Sequence, residues 1–254
     1  MTAVEFADAL GEYTDADGLV SPYRMQVGQR NGSGNGLLYT SLAYLLLAVR
    51  ARQYGVQFAE MVRKCYLLPG LLRRGPAHPD HEGPDDYLAV GAAAGVLRLG
   101  AFGGACKQVA GEILRYGRAH WWMMNNVDPG RWRWSSWFGR FPALIAHLEW
   151  AAWEPPPLWR RLAWAGALWL ASRAEARQQD SWVQSWMMVL TVEALDVESL
   201  TPTLRWWEYR AMDNWRHRAR GVFPGGLRQC LGEYFGNGEH PLVRYAPENW
   251  EGLL

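Results

Sequence analysis

Residues 36–49 read GLLYTSLAYLLLAV, the longest apolar run in the chain. It is too short for a bilayer span, which needs roughly 20 residues. Leu38, Leu42, Leu45 and Leu46 recur at three- and four-residue spacing and mark one helical face. The run therefore predicts a buried helix of a water-soluble fold. The pattern continues past Val49 and stops at Gly55, so the first core helix is expected over about 37–54.

The same spacing recurs along the chain. Further helices are expected at about 57–67, 84–100, 103–118, 139–153, 157–176, 180–195, 201–219 and 225–235. Alternating segments rich in Val, Ile and Thr are nearly absent, so no sheet is expected. The sequence predicts one all-α domain over 1–254. An N-terminal segment with a Gly-rich loop fills 1–36, a helical core 37–235 and an irregular tail 236–254. Short connections make antiparallel helical hairpins. Such hairpins can form a bundle, a solenoid or an α/α toroid, partial or closed. No fixed repeat is visible, which weighs against the solenoid. The third helix carries Ala89, Gly91, Ala92, Ala93, Ala94 and Gly95, small residues suited to an inner helix.

Composition narrows the function classes. The chain has 254 residues, 49 % hydrophobic and 20 % charged, which is the balance of a folded protein. A net charge of +1 argues against general nucleic-acid binding, which needs a basic excess. Cys65, Cys106 and Cys230 are far apart and share no C-x-x-C spacing, as expected for reduced thiols. The acidic start, MTAVEFADALGEYTDADG, does not read as a secretory signal, so the chain is expected in the cytoplasm where it is made. Sixteen tryptophans are many for this length; most are expected in the core, some in a cleft.

Candidate chemistry gathers at two helix starts. In HPDHEGPDDYLAV, residues 78–90, Pro84 suits the first helical position. Asp85 and Asp86 then lie in the first turn, where free N–H groups favour carboxylates by up to about 1 kcal/mol each. Capping explains both. The same field keeps them ionised, fit for a base, nucleophile or ligand. His78 and Tyr87 flank them as candidate substrate-binding groups. The His78–His81 spacing matches no zinc signature, and neither a metal nor a cofactor is expected. The second start is Asp180 in RQQDSWVQSW, an N-cap by position, with Trp182 and Trp186 on one face. Asn35 opens the first core helix after the Gly-rich NGSGNG, which lacks the Lys-Ser/Thr of a P-loop. If the helix starts share one end of a toroid, their polar groups face one cleft.

The order NGLLYTSLAYLLL (35–47), LLPGLLRR (67–74), PDDYLAV (84–90), WFGRFPALIAHLEWA (137–151), DSWVQSW (180–186) and HPLVRYA (240–246) resembles a group of proteins encoded by tailed bacteriophages. The resemblance covers most of the chain, from about Asn35 to Tyr245. It implies either a virion component or an enzyme acting on the host, and transfers no catalytic roles. The architecture is also similar to the helical toroids of some glycoside hydrolases and polysaccharide lyases. Two functions follow as expectations. One is binding or cleavage of a bacterial envelope glycan, with Asp85, Asp86 and Asp180 as the charged centre and His78, Tyr87, Trp182 and Asn35 around it. The other is a structural tail or connector protein, which would contact other virion proteins or further copies of itself.

Overall fold

The computed structural model describes residues 2–30, 35–50, 52–73, 75–76, 84–120 and 220–246, with positions 159, 162, 183, 186, 187 and 217. Side chains at 49–50, 84–85, 88 and 117–120 fall outside that description. The described part is 62 % helical and 6 % strand, so it is mostly α. The helices expected at 139–153, 157–176, 180–195 and 201–219 lie outside the described residues apart from those isolated positions, which are helical.

Two hairpins make the centre. Helix α2 (Gly36–Arg50) turns into α3 (Gly55–Lys64), and α4 (Pro84–Leu97) turns into α5 (Gly104–His120). Helix α2 packs on α4, and α3 packs on α5. The ends fix the directions. A Cβ on Gly100, just past α4, would collide with the carbonyl of Arg52, just past α2. Cys106 at the start of α5 donates its thiol to the Gly55 carbonyl at the start of α3, at 3.3 Å. Helices α2 and α4 are therefore parallel neighbours, and so are α3 and α5.

Sequence explains which pair lies inside. Helices α2 and α4 are apolar on every side, and each described side chain of α4 is buried. A helix apolar all round needs cover all round. Leu37, Leu38, Leu42 and Leu45 are buried to 2 % exposure or less. Each contributes about 1.5–3 kcal/mol relative to an exposed position. The small residues of α4, Ala89 and Ala92 to Ala94, are fully buried, as an inner helix requires. Helix α3 is amphipathic instead: Phe58, Ala59, Met61 and Val62 face inward, and Gln57, Glu60, Arg63 and Lys64 do not. Helix α5 behaves alike through Cys106, Val109, Ala110 and Ile113. The result is an inner layer of α2 and α4 and an outer layer of α3 and α5.

The structure corrects the sequence reading in three places. First, a two-stranded antiparallel hairpin joins the layers: β1 (Tyr66–Leu68) pairs with β2 (Leu71–Leu72) around Pro69 and Gly70. Gly70 sits at φ +88°, and a Cβ there would meet Tyr116 Cβ at 2.8 Å and the Glu112 carbonyl more closely still. The strands are short and Leu-rich, so the β-branched signal is missing. Second, residues 3–11 form helix α1 (Ala3–Gly11). Its N-terminus carries a capping box, with Thr2 N–H donating to Glu5 Oε2 at 2.7 Å and Glu5 N–H to Thr2 Oγ1 at 3.2 Å. Third, the tail is not wholly irregular. After α6 (Gly226–Phe235) comes a short helix α7 (Pro241–Tyr245).

The first and last described helices close on each other. Phe6 of α1 stacks on Tyr245 of α7 with ring centroids 3.9 Å apart. The segment after α1 is held to α2 by Thr40, whose Oγ1 accepts the Val20 N–H at 2.8 Å and donates to the Gly36 carbonyl at 2.7 Å. No helix among the described residues is long and apolar enough to cross a membrane.

Candidate functional site

Because α2 and α4 run parallel, both begin at the same end of the inner layer. That end holds the polar groups. Asn35 occupies the cap position of α2: its carbonyl accepts the first helical bond, from Tyr39 N–H at 3.0 Å. Its side chain turns to α6. Asn35 Nδ2 donates to the Tyr234 hydroxyl at 2.9 Å and lies 3.5 Å from the Tyr39 hydroxyl. Tyr39 OH donates to Tyr234 OH at 3.1 Å. An amide and two phenols thus share one partly buried cluster.

Aromatic contacts hold that cluster in place. Tyr39 meets Tyr234 edge-to-face at 5.8 Å and Phe235 at 5.1 Å. Phe235 stacks on His240 at 4.2 Å, and His240 meets Tyr13 edge-on at 4.5 Å. Offset and edge-to-face pairs of this kind each add about 0.5–1.5 kcal/mol beyond buried area. His240 is fully buried. Its Nδ1 accepts the Leu242 N–H at 3.2 Å, so the proton sits on Nε2, which donates to the Ser21 carbonyl at 3.0 Å. Burial pushes the imidazole below its ordinary proton affinity, and the bond to Ser21 opposes that in part.

The start of α4 is more closed than that of α2. Asp86 lies in the first turn of α4, is 4 % exposed and is engaged within the fold. Tyr87 is fully buried, and its hydroxyl accepts the Leu72 N–H at 2.9 Å. That bond satisfies a strand N–H which the two-stranded hairpin leaves over. Asp85 is the second residue of α4, and its side chain lies outside the described residues. His78, Asp180 and Trp182 lie outside them too. Trp186, four positions after Trp182 in sequence, is fully buried in the core with Val183 and Met187.

Of the candidate residues, Asn35 is thus joined by Tyr39 and Tyr234, and Asp86 starts the neighbouring helix at the same end. Sequence reading passed over Tyr234 and His240. Tyr234 lies 199 positions from Asn35, and no local pattern links them. His240 did carry a signal: it precedes Pro241, the first residue of a helix, which is a cap position.

Other ionisable groups have structural roles. Tyr66 donates to Glu112 Oε2 at 2.8 Å, and Arg63 pairs with Glu112 Oε1 at 3.5 Å on the outer layer. Burial and the Glu112 bond raise the Tyr66 phenol well above its ordinary range. Burial pushes the Cys106 and Cys230 thiols up to about 12, so neither is a nucleophile at neutral pH. Among the described residues no group of three or more metal-ligating side chains comes together. No protein-family model, no curated protein and no solved structure matches this chain.

Proposed function

We propose that the chain binds a bacterial envelope glycan at the end of the inner layer where α2 and α4 begin. The observation that carries this reading is the Asn35–Tyr39–Tyr234 cluster. Sugars present hydroxyls that both donate and accept, beside apolar C–H faces. An amide and phenols mounted on packed rings offer the matching chemistry. The two phenols arrive pre-positioned, which lowers the ordering cost of binding.

Cleavage is a further step on the same reading. A two-carboxylate glycosidase needs a protonated acid and an ionised partner, separated by about 5–10 Å. Asp86 would be the ionised group and Asp180 its partner, with Asp85, His78 and Trp182 alongside. The hairpin stack would then continue as an α/α toroid that brings the second helix start round to the first. On the resemblance to phage proteins, the target would be the envelope of the host.

A second reading has one observation in its favour. Strand β1 presents Leu67 and Leu68 at 46 % and 55 % exposure, an apolar edge suited to subunit contact in a virion. Calorimetric titration with soluble envelope glycans separates the readings. Binding that Tyr234→Phe weakens at least about tenfold, or 1.4 kcal/mol, supports the glycan site. Absence of binding by every glycan class, with self-association through β1, supports the structural protein. Hydrolysis lost in both Asp86→Asn and Asp180→Asn supports the enzyme.

A further inference from the structure

One imidazole joins the segment after α1 to α6 and α7. His240 caps α7, stacks on Phe235 of α6, meets Tyr13 edge-on and bonds the Ser21 carbonyl. Through Phe235 and Tyr39 the same stack of rings reaches Tyr234. We propose that His240 is an acid-sensitive latch, whose protonation parts the N-terminal segment from α6 and α7 and dismantles the Asn35–Tyr39–Tyr234 cluster with them.

The chemistry is a single protonation. Neutral His240 uses Nδ1 as an acceptor and Nε2–H as a donor. A second proton can enter only at Nδ1. There it faces the Leu242 N–H, so an acceptor becomes a donor pointed at a donor. The new cation also sits at the start of a helix and away from water, both unfavourable for positive charge, and the Phe235 ring face and the Ser21 carbonyl offset only part of that cost.

The charged and titratable groups on the surrounding elements are occupied elsewhere. Asp15 accepts the Asp17 and Leu19 N–H groups. Glu12 pairs with Arg24, whose Nε lies 3.4 Å from the Tyr13 hydroxyl. Glu239 pairs with Arg244 at 3.8 Å. On α6, Glu233 accepts from Gln229, Arg228 donates to the Ala246 carbonyl, and Tyr234 belongs to the cluster itself. Histidine alone among these ordinarily changes charge between about pH 5 and 8.

The latch stands whether or not the ligand is a glycan, because its readout is the protein's own opening. Amide hydrogen exchange on the full chain, corrected for the intrinsic pH dependence, is compared at about pH 7.5 and 5.0. We expect protection in 13–21 and 236–246 to fall at least about tenfold at acid pH, while 37–48 and 86–97 hold. In His240→Asn the amide oxygen can take the Leu242 N–H and position 240 no longer titrates, so protection in both segments should not change with pH. Unchanged protection in the wild type, or an equal loss in His240→Asn, overturns the latch. Should His240→Asn fail to fold, NMR titration of the wild-type ring decides. A ring midpoint that coincides with segment opening supports the latch. A ring that titrates near its ordinary value of about 6.5 while both segments stay protected overturns it.

Discussion

The Tyr234 hydroxyl accepts a hydrogen bond from Asn35 Nδ2 at 2.9 Å, joining the end of α6 to the cap of α2 across 199 positions of sequence. Tyr39 adds a second bond to the same oxygen at 3.1 Å. Replacing Tyr234 with Phe keeps the ring contacts and removes both bonds. Net worth per bond is about 0.5–1.5 kcal/mol, so a loss of about 1–2 kcal/mol is expected in urea unfolding. An unchanged midpoint would show that these bonds exchange freely with water.

Tyr87→Phe makes a useful contrast. It strands the buried Leu72 N–H, at a cost of about 1–3 kcal/mol. Since Tyr87 is wholly buried, glycan affinity should stay as in the wild type. A loss of affinity equal to that of Tyr234→Phe would mean that the two variants act through stability alone.

Global stability should fall in acid. Burial holds the folded His240 below its ordinary proton affinity. The unfolded chain therefore binds more protons than the folded chain as pH drops below about 6.5. Stability rises with pH through that window and is lost as pH falls, by at most about 1.4 kcal/mol per pH unit. Urea midpoints of wild type and His240→Asn across the window measure the difference. Equal slopes would exclude His240 as the source.

Two glycines separate conformational strain from crowding. Gly18 and Gly70 have nearly the same φ, +89° and +88°. A Cβ on Gly18 meets nothing within 4 Å, whereas one on Gly70 runs into Glu112 and Tyr116. Gly18→Ala should cost about 1 kcal/mol, from backbone strain alone. Gly70→Ala should cost clearly more, because α5 must also move. Thermal unfolding of both variants tests the order.

Thiol labelling offers a simple check of the core. Cys65, Cys106 and Cys230 are all buried, and two of the thiols are pushed up to about 12. None should react with a thiol reagent at neutral pH until denaturant opens the fold. Fast labelling of any one would place it at the surface.

The helical core was legible because its signal is local. Leu38, Leu42, Leu45 and Leu46 share a face, Pro84 opens α4, and the alanines of α4 mark an inner helix. What the sequence hides is contact between distant segments. Nothing near Asn35 announces Tyr234, and nothing near Ser21 announces His240. The β-hairpin was hidden differently: Leu67, Leu68, Leu71 and Leu72 are not β-branched, and Gly70 with its crowded, positive-φ turn was the available clue. Burial also reassigned a residue type. Tyr87 reads in sequence as a ligand group beside two aspartates, yet in the fold its hydroxyl completes the hydrogen bonding of a strand.

The proposed sugar site lies at the common start of α2 and α4 and is built on Tyr234. The direct measurement is calorimetric titration of soluble envelope glycan fragments into wild type, Tyr234→Phe and Tyr87→Phe at about pH 7.5. We expect saturable binding by wild type and Tyr87→Phe, weakened at least about tenfold in Tyr234→Phe. Equal binding by wild type and Tyr234→Phe, or no binding by any glycan class, would contradict it.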